Sequence, residues 1–302
     1  MAAPPPELAR LLRHFRARRP LRGGSLLVTI FGDAIAPRGG AVTLGGLIRL
    51  AAPFGLTERL VRTSVARLAR AHWLRTRRAG RRSEYRLSPQ GAQRFAAATR
   101  RIYAPAPGTW DGRWTLLLLP GARRRSAALR EELHWLGFGQ LAPALFAHPG
   151  ASAAQARAWL AQLPAAADAL VLSSKVAAAA DEARLALLGW DLRELARGYG
   201  AFVRLVAPLE ALSARTQLSA EQAFMARTLL VHEYRRVHLQ DPLLPPQLLP
   251  AGWVGARAYE LARRLYARVL EPAEAHLSQS ARRLDGPLPA PAAALRARFR
   301  AP

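Results

Sequence analysis

The chain has 302 residues, no cysteine, and 45 Lys+Arg against 20 Asp+Glu, a net charge of +25. The missing thiols exclude disulfides, thiolate zinc sites and cysteine nucleophiles. No run approaches the ~18 apolar residues of a membrane-spanning helix, and the opening Met-Ala-Ala-Pro-Pro-Pro-Glu leads into no apolar segment of the kind a secretory signal needs. Every cation but Lys175 is an arginine, a bias that GC-rich coding produces unaided. Its distribution says more: residues 1–110 hold 21 Arg and 4 acids, whereas residues 111–302 hold 24 Lys+Arg and 16 acids. The surplus sits in the first third, as expected of a segment that meets a polyanion.

A chain of this length divides into two or three domains. Residues 1–20, three consecutive prolines and then an arginine-rich run, are expected to form a mobile basic arm. Residues 21–103 read as a winged helix-turn-helix. A short amphipathic helix runs to about residue 50, Pro53 forbids its continuation, and Gly55 ends the turn that follows. Thr57 stands where an N-cap belongs and opens a second helix. On its wheel Val61, Val65 and Leu68 share one narrow arc, the face for the core. Arg59, Arg62, Thr63, Ala66 and Arg70 lie on the opposite arc. Guanidiniums, a hydroxyl and a methyl are the groups that read guanine and thymine edges in a major groove.

Leu74–Arg78 and Glu84–Ser88 then read as a hairpin, with Leu74 and Thr76 on one face of the first strand and Tyr85 and Leu87 on one face of the returning strand. Arg77, Arg78, Arg81 and Arg82 crowd its tip, where they suit phosphate contact or minor-groove insertion. Ser88-Pro89 opens another helix, with proline at the tolerated first position. The candidate DNA contacts are thus Thr57, Arg59, Arg62, Thr63, Arg70, Arg77, Arg78, Arg81 and Arg82.

Residues 104–109, Ala-Pro-Ala-Pro-Gly-Thr, make a linker. Residues 110–180 follow as a middle domain. It alternates strand (114–119), helix (126–136), strand (142–147), helix (153–163) and strand (169–173), a βαββαβ-like order that suggests a ferredoxin-like sandwich. Trp135 and Phe138 are read as its core. Residues 181–280 are helical, with segments at 181–199, 209–212, 220–240 and 256–276, the last two separated by Asp-Pro-Leu-Leu-Pro-Pro. Residues 281–302, rich in Arg, Pro and Ala, are expected to be a fraying tail. The fold class is α+β: winged helix-turn-helix, ferredoxin-like middle domain, helical C-terminal domain.

Several runs taken together resemble the PaaX family, repressors of the phenylacetate degradation operon. They are LGGLIRLAAPFGLTERLVRTSVARL, WLRTRRAGRRSEYRLSPQG, WDGRWTLLLL, LHWLGFGQLAP and HEYRRVHLQDPLLPPQLLPAGWVGARA, and the likeness spans roughly residues 20–276. The resemblance implies a bacterial cytoplasmic transcriptional repressor, not an enzyme, that binds a palindromic operator as a homodimer. It also implies phenylacetyl-coenzyme A as the effector, with no other cofactor and no membrane partner. The second helix is similar to that of GntR-type regulators through Val61-Arg62 followed by Ser64-Val65 and Leu68. It departs from their pattern in carrying Glu58 directly after the cap, placed to pair with Arg62 one turn on.

A coenzyme A thioester needs guanidiniums for its phosphates and an apolar or aromatic slot for its acyl group. Arg123, Arg124 and Arg125 in the middle domain, and Arg235, Arg236 and Trp253 beyond it, are the candidates. The alternative is an acyl-coenzyme A-processing, thioesterase-like enzyme with an appended DNA-binding domain, for which no base is nominated. A non-specific architectural DNA binder is a further rival. His232-Glu233 with His238 is no zincin pair, since a six-residue spacing sets the imidazoles about 240° apart on a helix; a site of His232, His238 and Asp241 across the helix end is the remaining metal arrangement. The middle domain is also similar to the small ferredoxin-like subunit of CRISPR spacer integration. Where metal-binding relatives carry an aspartate after the first strand, this chain has Leu119-Pro120-Gly121.

Overall fold

The computed structural model describes residues 3–18, 23–104, 108–120 and 127–299. Helix α1 spans Pro6–Ala17. Its Leu8, Leu11, Leu12 and Phe15 are buried. Residues 6–17 of the expected mobile arm are therefore a packed amphipathic helix, with Pro6 at the first helical position where its missing N–H costs nothing. Helix α2, Gly23–Ile30, runs into a π turn at Phe31–Ile35 that carries Asp33 inward.

The winged helix-turn-helix follows. Strand β1 is Ala41–Thr43, helix α3 Leu44–Ala51, helix α4 Glu58–Arg70, and strands β2 and β3 are Leu74–Ala79 and Arg82–Leu87. The three strands form one antiparallel sheet in the order β1-β3-β2. Gly55 ends the turn between the helices with φ +82, a left-handed conformation that glycine adopts without strain. Helix α5, Pro89–Tyr103, is capped by Ser88 and lies so close to the carbonyl of Trp73 that a β-carbon on Gly91 would overlap it.

The next segment is a ferredoxin-like sandwich: β4 Arg113–Leu118, α6 Ala127–Trp135, β5 Gly139–Ala142, β6 Leu145–His148, α7 Ala153–Leu160 and β7 Leu170–Lys175. Its antiparallel sheet has the order β5-β6-β4-β7. The single strand expected at 142–147 is instead the inside of a hairpin, because Pro143 and Ala144 form the turn between β5 and β6. Phe138 is buried with Leu117, Leu133 and Phe146, whereas Trp135, read as core, is 55% exposed.

Helix α8 covers Ala179–Gly189, α9 Leu192–Ser213, α10 Ala220–His238 and α11 Val254–Ser280. The helix expected over 181–199 breaks at Trp190, whose backbone is extended (φ −141, ψ 140), and the short segment at 209–212 is the end of α9. Within the expected tail residues 281–299 pack on the rest of their unit: β8, Arg282–Arg283, pairs with β9, Gly286–Pro287, and Leu295 and Phe299 are buried. The chain forms two compact units. One comprises Met1–Pro105, Ala201–Arg236 and Arg257–Pro302; the other comprises Ala106–Gly200 and Val237–Ala256. In the first, a buried ionic cluster centres on Asp33. Its carboxylate accepts from Arg227 (2.7 Å), Arg298 (2.8 Å) and the hydroxyls of Tyr103 (2.7 Å) and Tyr266 (2.9 Å). Glu274 bridges Arg227 (2.5 Å) to Arg38 (2.6 Å). Phe299 stands edge-on to Tyr103 at 4.9 Å and also packs on Tyr234, Tyr259 and Tyr266.

Candidate nucleic-acid interface

Local chemistry sets the aim of α4. Thr57 sits at ψ 154 outside the helix, and its hydroxyl accepts from the Leu60 N–H, fixing the first turn. At the other end the Trp73 N–H reaches Leu68 O (2.9 Å) and the His72 N–H reaches Ala69 O (3.0 Å). This is a Schellman stop that places His72 at φ +58 and turns the chain into β2. Val61, Ser64 and Val65 are buried and Leu68 is half-buried. The opposite face, Arg59, Arg62, Thr63, Ala66 and Arg70, is exposed along its whole length.

Two of these side chains carry internal partners. Arg62 donates through Nε (2.7 Å) and Nη2 (2.6 Å) to one oxygen of Glu58, the pairing that the i,i+4 spacing predicts. The Thr63 hydroxyl donates to Arg59 O at 2.9 Å and so presents its methyl. Both Glu58 and Arg62 side chains are 57% exposed, a setting in which an ion pair contributes about 0.2–1 kcal/mol and yields readily to a competing ligand.

The wing is β2, β3 and the tip Gly80-Arg81, with Leu74 opposite Leu87 and Thr76 opposite Tyr85. Gly80 has φ +56 and open space around it. Arg78, Arg81 and Arg82 are exposed. Arg77 is engaged: its two terminal nitrogens donate to the two oxygens of Asp285 (2.8 and 2.5 Å), and these bonds hold the Asp285 carboxyl below its ordinary pKa. The base of the wing contains Glu84, fully buried, which accepts the Leu284 N–H at 2.9 Å. Sequence reasoning missed both acids. Arg-Arg-Leu-Asp-Gly-Pro at 282–287 is a legible tight turn, but nothing local says that it lands on the wing.

A groove of about 620 Å³ opens beside the wing. Arg49, Arg62, Arg81, Arg82, Arg282 and Arg283 all line it. Glu58, already paired with Arg62, is the carboxylate among its lining residues.

The residues considered for an effector are placed differently. Arg235 is half-buried, and its guanidinium donates to Thr29 Oγ1 (2.8 Å), Ser25 O (2.8 Å) and Ser25 Oγ (2.7 Å). Arg236 is exposed and ion-paired with Glu233 at 3.3 Å. Trp253 is half-buried edge-on to Tyr199, ring centroids 6.2 Å apart. Arg123, Arg124 and Arg125 lie outside the described residues. The imidazoles have other occupations: His232 Nδ1 lies 3.1 Å from the Thr29 hydroxyl, and His238 Nδ1 lies 2.9 Å from the Tyr199 hydroxyl, which donates to Asp241. Among the described residues no group of three His, Asp or Glu could hold a metal ion, and no helix is long and apolar enough to cross a membrane.

Three family models match the chain between residues 22 and 279. The family model for PaaX-like protein matches residues 22–91, that for the PaaX protein central Cas2-like domain 107–186, and that for the PaaX-like protein C-terminal domain 190–279. The transcriptional repressor PaaX of Escherichia coli (strain K12) is 37% identical over 299 residues, which cover 97% of this chain and 95% of that protein. Among solved structures, the uncharacterized protein Rv0674 from Mycobacterium tuberculosis superposes with a TM-score of 0.48 at 24% identity, over 75% of this chain and 89% of its own.

Proposed function

The chain belongs to the PaaX family, and from that premise we propose that it is a DNA-binding transcriptional repressor of phenylacetate catabolism genes. Phenylacetyl-coenzyme A, or a related aryl thioester, releases it from its operator. The observation that carries the reading is the capped helix α4, whose fully exposed face of arginines, one threonine and one alanine stands beside an arginine-tipped wing. Such a helix enters the major groove with its side chains toward base edges, and the wing's guanidiniums hold phosphate. Arg59, Arg62, Thr63 and Arg70 are assigned to the bases, Thr57 to the helix start against the backbone, and Arg78, Arg81 and Arg82 to phosphate; Arg77, expected with them, is instead held by Asp285. A homodimer sets two such helices on the halves of a palindrome, where they obstruct polymerase.

Release needs only that the thioester prefer a conformation in which the two helices no longer fit their half-sites. The loss of operator affinity equals that preference and no more. Arg123, Arg124, Arg235, Arg236 and Trp253 are the side chains proposed to meet the thioester. Of these, Arg236 has an exposed guanidinium, while the bonds of Arg235 to Ser25 and Thr29 favour a structural part for it.

The test is a gel-shift titration of duplex from upstream of the phenylacetate genes, with phenylacetyl-coenzyme A, other acyl-coenzyme A esters and coenzyme A alone. Retarded duplex that only aryl esters release is the expected result. Retardation indifferent to every ester overturns the effector, and release of free thiol during the incubation overturns the non-enzymatic reading.

A further inference from the structure

We propose that the two-stranded turn β8–β9 is a second phosphate-binding prong, through which Arg282 and Arg283 grip the same duplex as the wing. The inference rests on the duplex-binding reading of α4 and the wing, and adds to it a segment far away in sequence. Three observations carry it.

The first is placement. Arg282 and Arg283 line one groove with Arg81 and Arg82 of the wing tip and Arg62 of α4. Helix α3 contributes Gly45, Gly46 and Arg49 to the same groove. Gathering this many guanidiniums around one cleft costs repulsion that the nearby acids relieve only in part: Glu58 is paired with Arg62, and Asp285 is shared between Arg77 and Arg283. A polyanion relieves it. Within a Debye length of about 8–10 Å the cations act on an approaching phosphate together.

The second is rigidity. The turn is fastened at three points: Asp285 to Arg77 by two hydrogen bonds, the Leu284 N–H to the buried Glu84, and Ser280 O to the Nε of Arg49 at 3.0 Å. Asp285 is the one acid in the turn, and the clamp on Arg77 largely neutralises it. Thus the clamp spends one wing arginine to hold two others in place.

The third is availability. Arg282 is exposed and forms no ion pair among the described residues. Arg283 is half-buried, with its Nε enclosed by the protein, so a phosphate can meet only the terminal nitrogens of its guanidinium. For such a planar cationic donor a phosphate oxygen is a well-matched acceptor.

Phosphate contact makes a measurable demand. Each phosphate neutralised steepens the dependence of log K on log salt by about 0.9. We therefore compare the full-length wild type with R282A/R283A, R282K/R283K and R81A/R82A, using both the upstream duplex and a random-sequence duplex of equal length across a salt series. The expected results for R282A/R283A are a slope shallower by about 1.8 and equal losses on both duplexes. R282K/R283K should restore the slope, because lysine keeps the charge, and that variant decides the matter if the alanine pair melts below wild type. An unchanged slope in R282A/R283A, beside a reduced one in R81A/R82A, overturns the second prong and leaves the wing intact. A loss confined to the upstream duplex overturns it too, since that is base reading rather than phosphate contact. Failure of the wild type to bind either duplex overturns the duplex-binding reading itself.

Discussion

Asp33 shows how far one side chain can reach. Burial pushes its carboxyl up, yet Arg227 and Arg298, with the hydroxyls of Tyr103 and Tyr266, hold it below the ordinary aspartate value. Tyr266 is itself pushed up to about 12 by burial, with the Asp33 charge adding to the rise and Arg227 and Arg298 opposing it, so it remains a neutral donor at physiological pH. Asp33→Asn leaves the buried Arg298 without its counter-charge and Arg227 with Glu274 alone, and removing one partner of a buried pair costs about 3–5 kcal/mol. Urea unfolding at neutral pH should show that loss. Because the folded pKa is depressed, the contribution is fully present above the unfolded value of about 3.9 and fades as pH falls through the folded one. The gap between wild type and variant should therefore stay constant from pH 8 to 5 and close only under stronger acid. A gap that changes between pH 5 and 8 would assign the stabilisation to some other titrating group.

Among the elements, α4 and the wing are the ones proposed to divide the labour of recognition, and variants should separate them. Arg59→Ala or Arg62→Ala should relax base preference and cost ~1–3 kcal/mol on the preferred site alone. Base preference unchanged in quantitative binding to a randomised site library would remove that residue from the base readers. Replacing Arg81 and Arg82 with Ala should weaken all duplexes alike and flatten the salt dependence. These two elements were legible in sequence because their determinants are local: a cap at Thr57, a breaker at Pro53, valines four apart, and arginines at a turn. Local signals also existed for α1, whose Leu8, Leu11, Leu12 and Phe15 repeat at helical spacing. The prolines and arginines around them suggested a mobile arm, but it is the buried face that decides. The hairpin at 139–148 stayed hidden because its turn, Pro143-Ala144, lies inside an apolar run. Clamps such as Arg77 to Asp285, 208 residues apart, have no local signature at all.

At the scale of the whole molecule, the winged helix shares one compact unit with Ala201–Arg236 and Arg257–Pro302. Phe15 packs on His232 at 5.4 Å, Phe54 on Phe224 at 6.0 Å, and Arg18 reaches Glu233 at 2.6 Å. A fragment ending at residue 105 retains the recognition helix and wing but uncovers these side chains and strands Asp33. It should melt well below the parent, or without a sharp transition, and bind a dye specific for exposed apolar surface. A fragment with a thermal midpoint and cooperativity equal to the parent's would show that the winged helix is self-sufficient.

The Asp33 cluster also sets a timetable. Arg227 follows Asp33 by 194 residues. At the usual ~5–20 residues per second of synthesis, the carboxylate therefore waits roughly ten to forty seconds for its first guanidinium to leave the ribosome. Throughout that interval the sides of Phe15 and Phe54 that rest on His232 and Phe224 in the finished protein stay uncovered. The amino-terminal third therefore completes its packing only as a late event of translation.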